Sequence, residues 1–140
     1  TQNIDGLQQM TGSRKVDELH GSVHRNYCQK CGKFYDAAYV KESRGVPRCQ
    51  CGGIIKPDVV LYEESLDGST IRGSIEAISS ADTLIIGGTS LVVYPAAGFI
   101  DYFHGRHLVV INKSATAREV GAELTISAPI GEILGQITVK

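Results

Sequence analysis

Residues 82–112 read DTLIIGGTSLVVYPAAGFIDYFHGRHLVVIN. Two short apolar runs stand at the ends, residues 82–87 and residues 107–112. A run of this length, closed by glycine or a polar residue, has the texture of a parallel strand buried on both faces. Between them, residues 94–105 read as a helix, with Pro95 near its start and Gly105 as its stop. Strand, helix, strand in that order implies a parallel sheet with a right-handed crossover.

The same alternation extends outward. Residues 122–127 (AELTIS) read as a third strand, and residues 129–137 as a closing helix, against which Gly131 and Gly135 weigh. Upstream, residues 69–80 place Ile71, Ile75 and Ile78 on one helical face. The expected class is α/β: part of a Rossmann-like, doubly wound parallel sheet. No repeat, linker or low-complexity tract interrupts it.

Bulk composition excludes several functions. With 140 residues, 42% hydrophobic, 21% charged and a net charge of −1, the chain has ordinary globular composition. Nothing in that balance predicts nucleic acid or an anionic membrane as a partner. No apolar run approaches the roughly 20 residues that span a bilayer. No basic segment followed by an apolar one marks a signal peptide.

All four cysteines lie close together, as Cys28-x2-Cys31 and Cys49-x-Cys51. A disulfide framework spreads its cysteines to staple distant loops, whereas a metal site clusters them. Each pair is followed by glycine, Gly32 or Gly52 and Gly53, where the backbone must turn its N–H groups toward sulfur. Four thiolates from two such turns make a closed tetrahedral zinc site, structural rather than catalytic. The alternative is four unlinked thiols. Either way, a reducing cytoplasm is the expected compartment.

Three polar motifs remain, each open to two readings alone. Gln2-Asn3-Ile4-Asp5-Gly6 can hydrogen-bond a polar ligand, or merely cap a helix with Asn3 or Asp5. His20, before Gly21, is of a residue type suited to general-base work near neutral pH, or is an ordinary surface or core histidine. Gly87-Gly88-Thr89-Ser90 closes a strand where doubly wound sheets bind ligands, and Asn112-Lys113-Ser114 closes the next; both can also be simple turns.

In order along the chain, QNID (2–5), LHG (19–21), the two cysteine pairs, KPDVVLYEE (56–64), GTSL (88–91) and INK (111–113) resemble the sirtuin family. The resemblance runs from Thr1 to about Ile137. It implies an NAD-dependent protein-lysine deacylase, most simply a deacetylase, with NAD as co-substrate and zinc as structural metal. Asn3, Asp5 and Ile4 would line the nicotinamide pocket, and Gln2 would contact the nicotinamide ribose. His20 would be the base that activates a ribose hydroxyl. Gly88, Thr89 and Ser90 would hold the adenosine side, Asn112, Lys113 and Ser114 the adenine ribose, and Ile130 the adenine through its backbone. Val59, Val60, Leu61 and Tyr62 would wall the acyl-lysine cleft opposite residues 91–94, with a substrate peptide pairing between them as a strand. The implied products are free lysine, nicotinamide and O-acyl-ADP-ribose. The implied organisation is a nicotinamide and catalytic-histidine segment (1–22), an inserted zinc module (23–55) and a Rossmann-like half (56–140).

Two substitutions depart from the family pattern. Its second knuckle is usually Cys-x2-Cys, here Cys49-Gln50-Cys51, and Tyr62 stands where Phe is common. The family's glycine-rich pyrophosphate loop is not found ahead of Gln2. The expectation is therefore a C-terminal part of a longer enzyme, not a competent deacylase alone. Rival readings are an NAD-dependent ADP-ribosyltransferase on the same fold, and a non-catalytic, zinc-stabilised binding module.

Overall fold

The computed structural model describes residues 1–114 and 121–138. They form two compact units, Thr1–Ile71 and Arg72–Lys140.

The first unit is organised by an eight-residue strand, β1 (Gly21–Cys28). Ahead of it lies a single helical turn, α1 (Leu7–Met10). After it come β2 (Phe34–Tyr35), α2 (Ala37–Glu42) and β3 (Ile55–Val59). The strands make an antiparallel sheet in the order β2-β1-β3. This sheet was not anticipated: β2 is two residues long, too short for a period-two pattern, and an irregularity interrupts β1. Pairing runs Gly21↔Val59 and Ser22↔Asp58, then resumes at Asn26↔Pro57. The extra residues on β1 bulge outward. Buried Asn26 steadies the bulge by donating its side-chain amide to the Val23 carbonyl at 3.1 Å.

The bulge also aims Arg25. Its guanidinium pairs with Glu18 at 2.5 Å and Asp58 at 2.8 Å, tying the approach to β1 onto β3. The Glu18 side chain is only 7% exposed, and its hydrogen bond is the main reason the Arg25 pKa is raised. At the head of α2, Asp36 accepts the Tyr39 N–H at 2.8 Å, an ordinary N-cap.

The second unit begins within α3 (Gly68–Ser79). The expected face is present: Ile71, Ile75 and Ile78 are half-buried around buried Ser74. Three parallel strands follow, β4 (Thr83–Gly87), β5 (His107–Asn112) and β6 (Leu124–Ser127), in the order β4-β5-β6. These are the three strands read from the sequence. Central β5 is the buried one, with Val110 fully enclosed and Ile111 at 2% exposure. β4 departs from the expected double-sided burial. It is an edge of the described sheet, and Ile85 is 49% exposed.

Both connecting helices are tighter or shorter than expected. Residues 96–102 form a 3₁₀ helix, closed by Gly98 N–H to Pro95 and Phe103 N–H to Ile100. A short segment with a central glycine gains little from α-helical propagation, so three-residue bonds suffice. It still buries Ala97 and Phe99. The closing helix, α4 (Ile130–Leu134), stops at Gly135 instead of running to Ile137, as the low helix propensity of glycine favours.

Gly21 is the backbone position on which β1 and β3 depend most directly. Its φ is +77°, and a Cβ there would lie 1.8 Å from the Asp58 carbonyl oxygen. Gly21→Ala is expected to cost about 3 kcal/mol, from left-handed strain plus forced separation of the strands. Denaturant unfolding of the two proteins measures it; a loss below about 0.5 kcal/mol, the scale of a neutral surface change, would contradict this account.

Candidate functional site

Both cysteine pairs converge. The four sulfurs all lie within 4.8 Å of one another. Cys28 to Cys51 is 3.5 Å, Cys31 to Cys49 is 3.6 Å and Cys31 to Cys51 is 3.5 Å. A disulfide would need about 2.05 Å, and all four cysteines are free. Four sulfurs at ~2.3 Å from one tetrahedral zinc would stand about 3.8 Å apart. The donor set fits such an ion. The one-residue spacing of the second knuckle does not prevent this. Cys49 N–H bonds the Gly53 carbonyl at 2.8 Å and Gly52 N–H the Cys49 carbonyl at 2.8 Å, a tight turn that swings Cys51 inward.

Proton affinities within the cluster are pulled apart. The Tyr35 hydroxyl, then the Cys51 N–H, hold Cys49 down to about 6. At Cys31 the Lys33 N–H pulls down, but hydrogen bonds shared with Cys51, Cys28 and Cys49 prevail and push it up to about 12. Burial pushes Cys28 up, yet the N–H groups of Cys31 and Lys30 leave it lowered on balance. Thiols crowded together compete for a few donors; a divalent cation would relieve that competition by stabilising all four as thiolates.

The second constellation gathers at the start of β1. His20 Nδ1 lies 3.2 Å from the Gln2 carbonyl oxygen. A carbonyl can only accept, so Nδ1 carries the proton and Nε2 is left as the basic nitrogen. Residues 2–5 run beside β1, with Val23 N–H bonded to the Ile4 carbonyl at 3.0 Å. Gln2, Ile4 and Asp5 are half-buried and Asn3 is exposed. Asp5 Oδ1 accepts the Leu7 N–H at 3.1 Å, so this carboxylate also steadies α1. His24, which sequence reasoning passed over, donates through Nε2 to the Asp5 carbonyl at 2.9 Å and pins the same turn. Its spacing of two on the strand after Ser22 carried no signal of this.

Beyond β3, Val60 N–H bonds the His20 carbonyl at 3.1 Å. Val59 and Val60 are half-buried, while Leu61 is 55% exposed and Tyr62 wholly so. An apolar strip therefore leaves the histidine for open surface. Lys56 and the Leu61 N–H both bind Glu64, which anchors the strip's far end and lowers the Glu64 pKa.

The third constellation is a cleft of about 680 Å³ at the carboxyl ends of β4 and β5. Gly88, Thr89 and Ser90 line it from β4, Asn112, Lys113 and Ser114 from β5, and Ile130 from the head of α4. Ile111, Val92, Pro129 and Gly131 complete it; Pro129 and Gly131 were not anticipated, and Val92 was expected at the acyl-lysine wall. Gly87 lets the wall close: a Cβ there would meet Ile130 Cδ1 at 2.0 Å. Asn112 has an unexpected task. Its side chain accepts from Thr89 N–H at 3.0 Å and donates to the Thr89 carbonyl at 2.9 Å, locking one strand end to the next. Thr89 Oγ1 then accepts the Leu91 N–H at 3.2 Å.

The chain as a whole is similar to known proteins. A model described as the Sir2 family matches residues 1–95. The chain is 65% identical over 139 residues to an NAD-dependent protein deacetylase of Clostridium perfringens, covering 98% of this chain and 57% of that protein. It is 64% identical over 136 residues to an NAD-dependent protein deacetylase of Clostridium acetobutylicum, covering 96% and 56%. The chain thus spans just over half the length of these relatives. A solved Sir2 protein with a p53 peptide and NAD+ superposes with a TM-score of 0.87 at 39% identity, over 97% of this chain and 59% of that one. Another, with an inhibitor, 2'-O-acetyl-ADP-ribose and deacetylated p53 peptide, gives 0.88 at 39% identity, over 97% and 60%.

Two outcomes are expected. Reduced protein should hold one zinc ion per chain, and Cys49→Ser should forfeit most of it; metal analysis well below one equivalent in wild type would refute the first. Asn112→Ala removes two part-buried hydrogen bonds, to the Thr89 N–H and carbonyl, and should cost about 1–3 kcal/mol. Equilibrium unfolding of the variant tests that, and unchanged stability would show the latch to be idle.

Proposed function

The chain belongs to the Sir2 family, and on that premise we propose that its protein removes acyl groups, chiefly acetyl, from protein lysine. NAD and one water are consumed, and nicotinamide and O-acyl-ADP-ribose are released. Support comes from relatives named NAD-dependent protein deacetylase and from neighbours solved with NAD+, acetylated peptide or acetyl-ADP-ribose. Within this chain the reading is carried by one juxtaposition. His20, its Nδ1 proton spent on the Gln2 carbonyl, stands against the segment that carries Asn3 and Asp5.

In this reading Asn3 and Asp5 orient the nicotinamide, Ile4 packs against it and Gln2 contacts its ribose. Nε2 of His20 takes a proton from a ribose hydroxyl, which then attacks the acyl carbon. General-base help of this kind is worth roughly 10²–10⁴-fold. Gly88, Thr89 and Ser90 hold the adenosine side; Asn112, Lys113 and Ser114 hold the adenine ribose; the Ile130 backbone meets the adenine. The strip of Val59, Val60, Leu61 and Tyr62, half-buried at its start and exposed at Leu61 and Tyr62, offers itself to the substrate peptide, which pairs as a strand and leaves its acyl-lysine near His20.

Cys28, Cys31, Cys49 and Cys51 hold a structural zinc, which supplies rigidity and no open coordination position. Labour is divided accordingly: residues 1–22 carry the nicotinamide end and the base, 23–55 the metal module, and 56–140 the adenosine end and acyl-lysine wall. Four clustered free thiols suit a reducing compartment, and we place the protein in the cytoplasm. Among the described residues no helix is long and apolar enough to cross a membrane.

His20→Ala in the full-length protein is the deciding variant. Deacetylation of an acetyl-lysine peptide should fall by about 10²–10⁴-fold. Exchange of labelled nicotinamide into NAD should fall far less, because the base acts after nicotinamide departs. A variant that still deacetylates within a few-fold of wild type, well short of the roughly 10²-fold minimum, would remove His20 from the role.

A further inference from the structure

The metal cluster has a neighbour whose chemistry is unaccounted for. Tyr35 is buried, at 8% exposure, within the small core of Cys28, Cys49 and Ile55. A buried phenol needs a partner for its hydroxyl. Here that partner is sulfur: Tyr35 Oη donates to Cys49 Sγ at 3.1 Å, with Cys49 itself 6% exposed.

The ring is held in place from two directions. β2 pairs Tyr35 with Asn26 of β1. On the other side the Tyr39 ring packs at 4.5 Å, tilted by 45°. Tyr39 is fixed in turn by Asp36 at its N–H and by its own hydroxyl, which donates to the Arg48 carbonyl at 2.9 Å, next to Cys49. The phenol therefore reaches the second knuckle from a braced position, and the brace grips that knuckle as well.

We propose that Tyr35 is an outer-shell positioning residue of the metal site, orienting Cys49 and offsetting the negative charge on its sulfur through an O–H···S hydrogen bond. The inference rests on reading the four cysteines as a metal site. A donor to a ligating thiolate is charge-assisted and stronger than a neutral pair. It fixes the direction of the sulfur lone pairs and offsets the crowding of negative charge on four sulfurs. The first knuckle is served differently: Cys28 Sγ receives the Lys30 backbone N–H at 3.4 Å. A backbone donor survives any substitution except proline, whereas the Tyr35 hydroxyl is lost with its side chain.

Tyr35→Phe removes the hydroxyl and keeps the ring. Zinc affinity of full-length wild type and variant is measured by competition with a chromogenic chelator, and the cobalt(II)-substituted proteins are compared by their sulfur-to-metal charge-transfer bands. The expected result is a roughly 10–100-fold weaker zinc affinity, the usual loss for an outer-shell partner. The charge-transfer band should move to lower energy, because a sulfur without its hydrogen bond gives up electron density more readily. Tyr39→Phe, which leaves the Tyr35 hydroxyl in place, should keep the wild-type band. An affinity within about threefold of wild type, against the roughly 10–100-fold typical of such losses, with an unmoved band, overturns the proposal and leaves the metal reading intact. A Tyr35→Phe protein that stays unfolded at saturating zinc also overturns it, since excess metal compensates a lost outer-shell bond. Wild type that takes up no zinc removes the metal reading and this inference together.

Discussion

β1 carries the chemistry of the first unit at both ends. It starts at Gly21, next to His20, and finishes at Cys28, the first sulfur of the cluster. Pairing with β3 spans the same interval, from Gly21↔Val59 to Cys28↔Ile55. Whatever closes the cysteine end therefore also sets the register at the histidine end. A one-residue slip would turn every side chain of the strand to the opposite face. The buried amide of Asn26 and the ion pairs of Arg25 with Glu18 and Asp58 guard that register where the bulge interrupts the ladder. The metal module has so few buried apolar side chains, Tyr35 and Ile55 among them beside Cys28 and Cys49, that a metal-thiolate cluster is the natural replacement for a larger core.

In the second unit the organising element is β5. It lies between β4 and β6, and its last residues turn from apolar to polar as the strand leaves the sheet. That switch is what opens a cleft at the carboxyl end of the strands. The backbone of residues 88–90 is held open by the Asn112 side chain, which satisfies both polar groups of Thr89 at once. An asparagine suits this position because one planar amide presents a donor and an acceptor side by side. A carboxylate there would have no proton to give the Thr89 carbonyl.

How much was legible in advance follows from which physical signal each part leaves. The parallel strands were, because apolar runs ended by glycine or polar residues are a local record of burial in a sheet. β5 was read with its boundaries, and β4 to within a residue. The antiparallel sheet was not, because its pairing is non-local and β2 contributes two residues. The 3₁₀ segment is legible only as a helix of unspecified kind, since Pro95 and Gly105 mark ends without specifying the bond spacing between them. The candidate site was legible as types and order of residues: the cysteine pairs by spacing, and QNID, LHG, GTSL and INK jointly as a family pattern.

Thus the sequence by itself determined the α/β class of the second unit, the set of four sulfurs, and the identity of the histidine and amide-rich segment. Those are carried by residue type, local hydrophobic period and order, which need no partner to be read. Tertiary structure alone decided which His20 nitrogen keeps the proton, because that depends on the Gln2 carbonyl 3.2 Å away and 18 residues distant in sequence. It alone turned Asn112 inward onto Thr89, set His24 to hold the Asp5 turn, and aimed the Tyr35 hydroxyl at Cys49. Each is a hydrogen bond between groups far apart along the chain. A donor's chemistry is written in its residue type, but its acceptor is chosen only when folding excludes water and leaves one partner within reach.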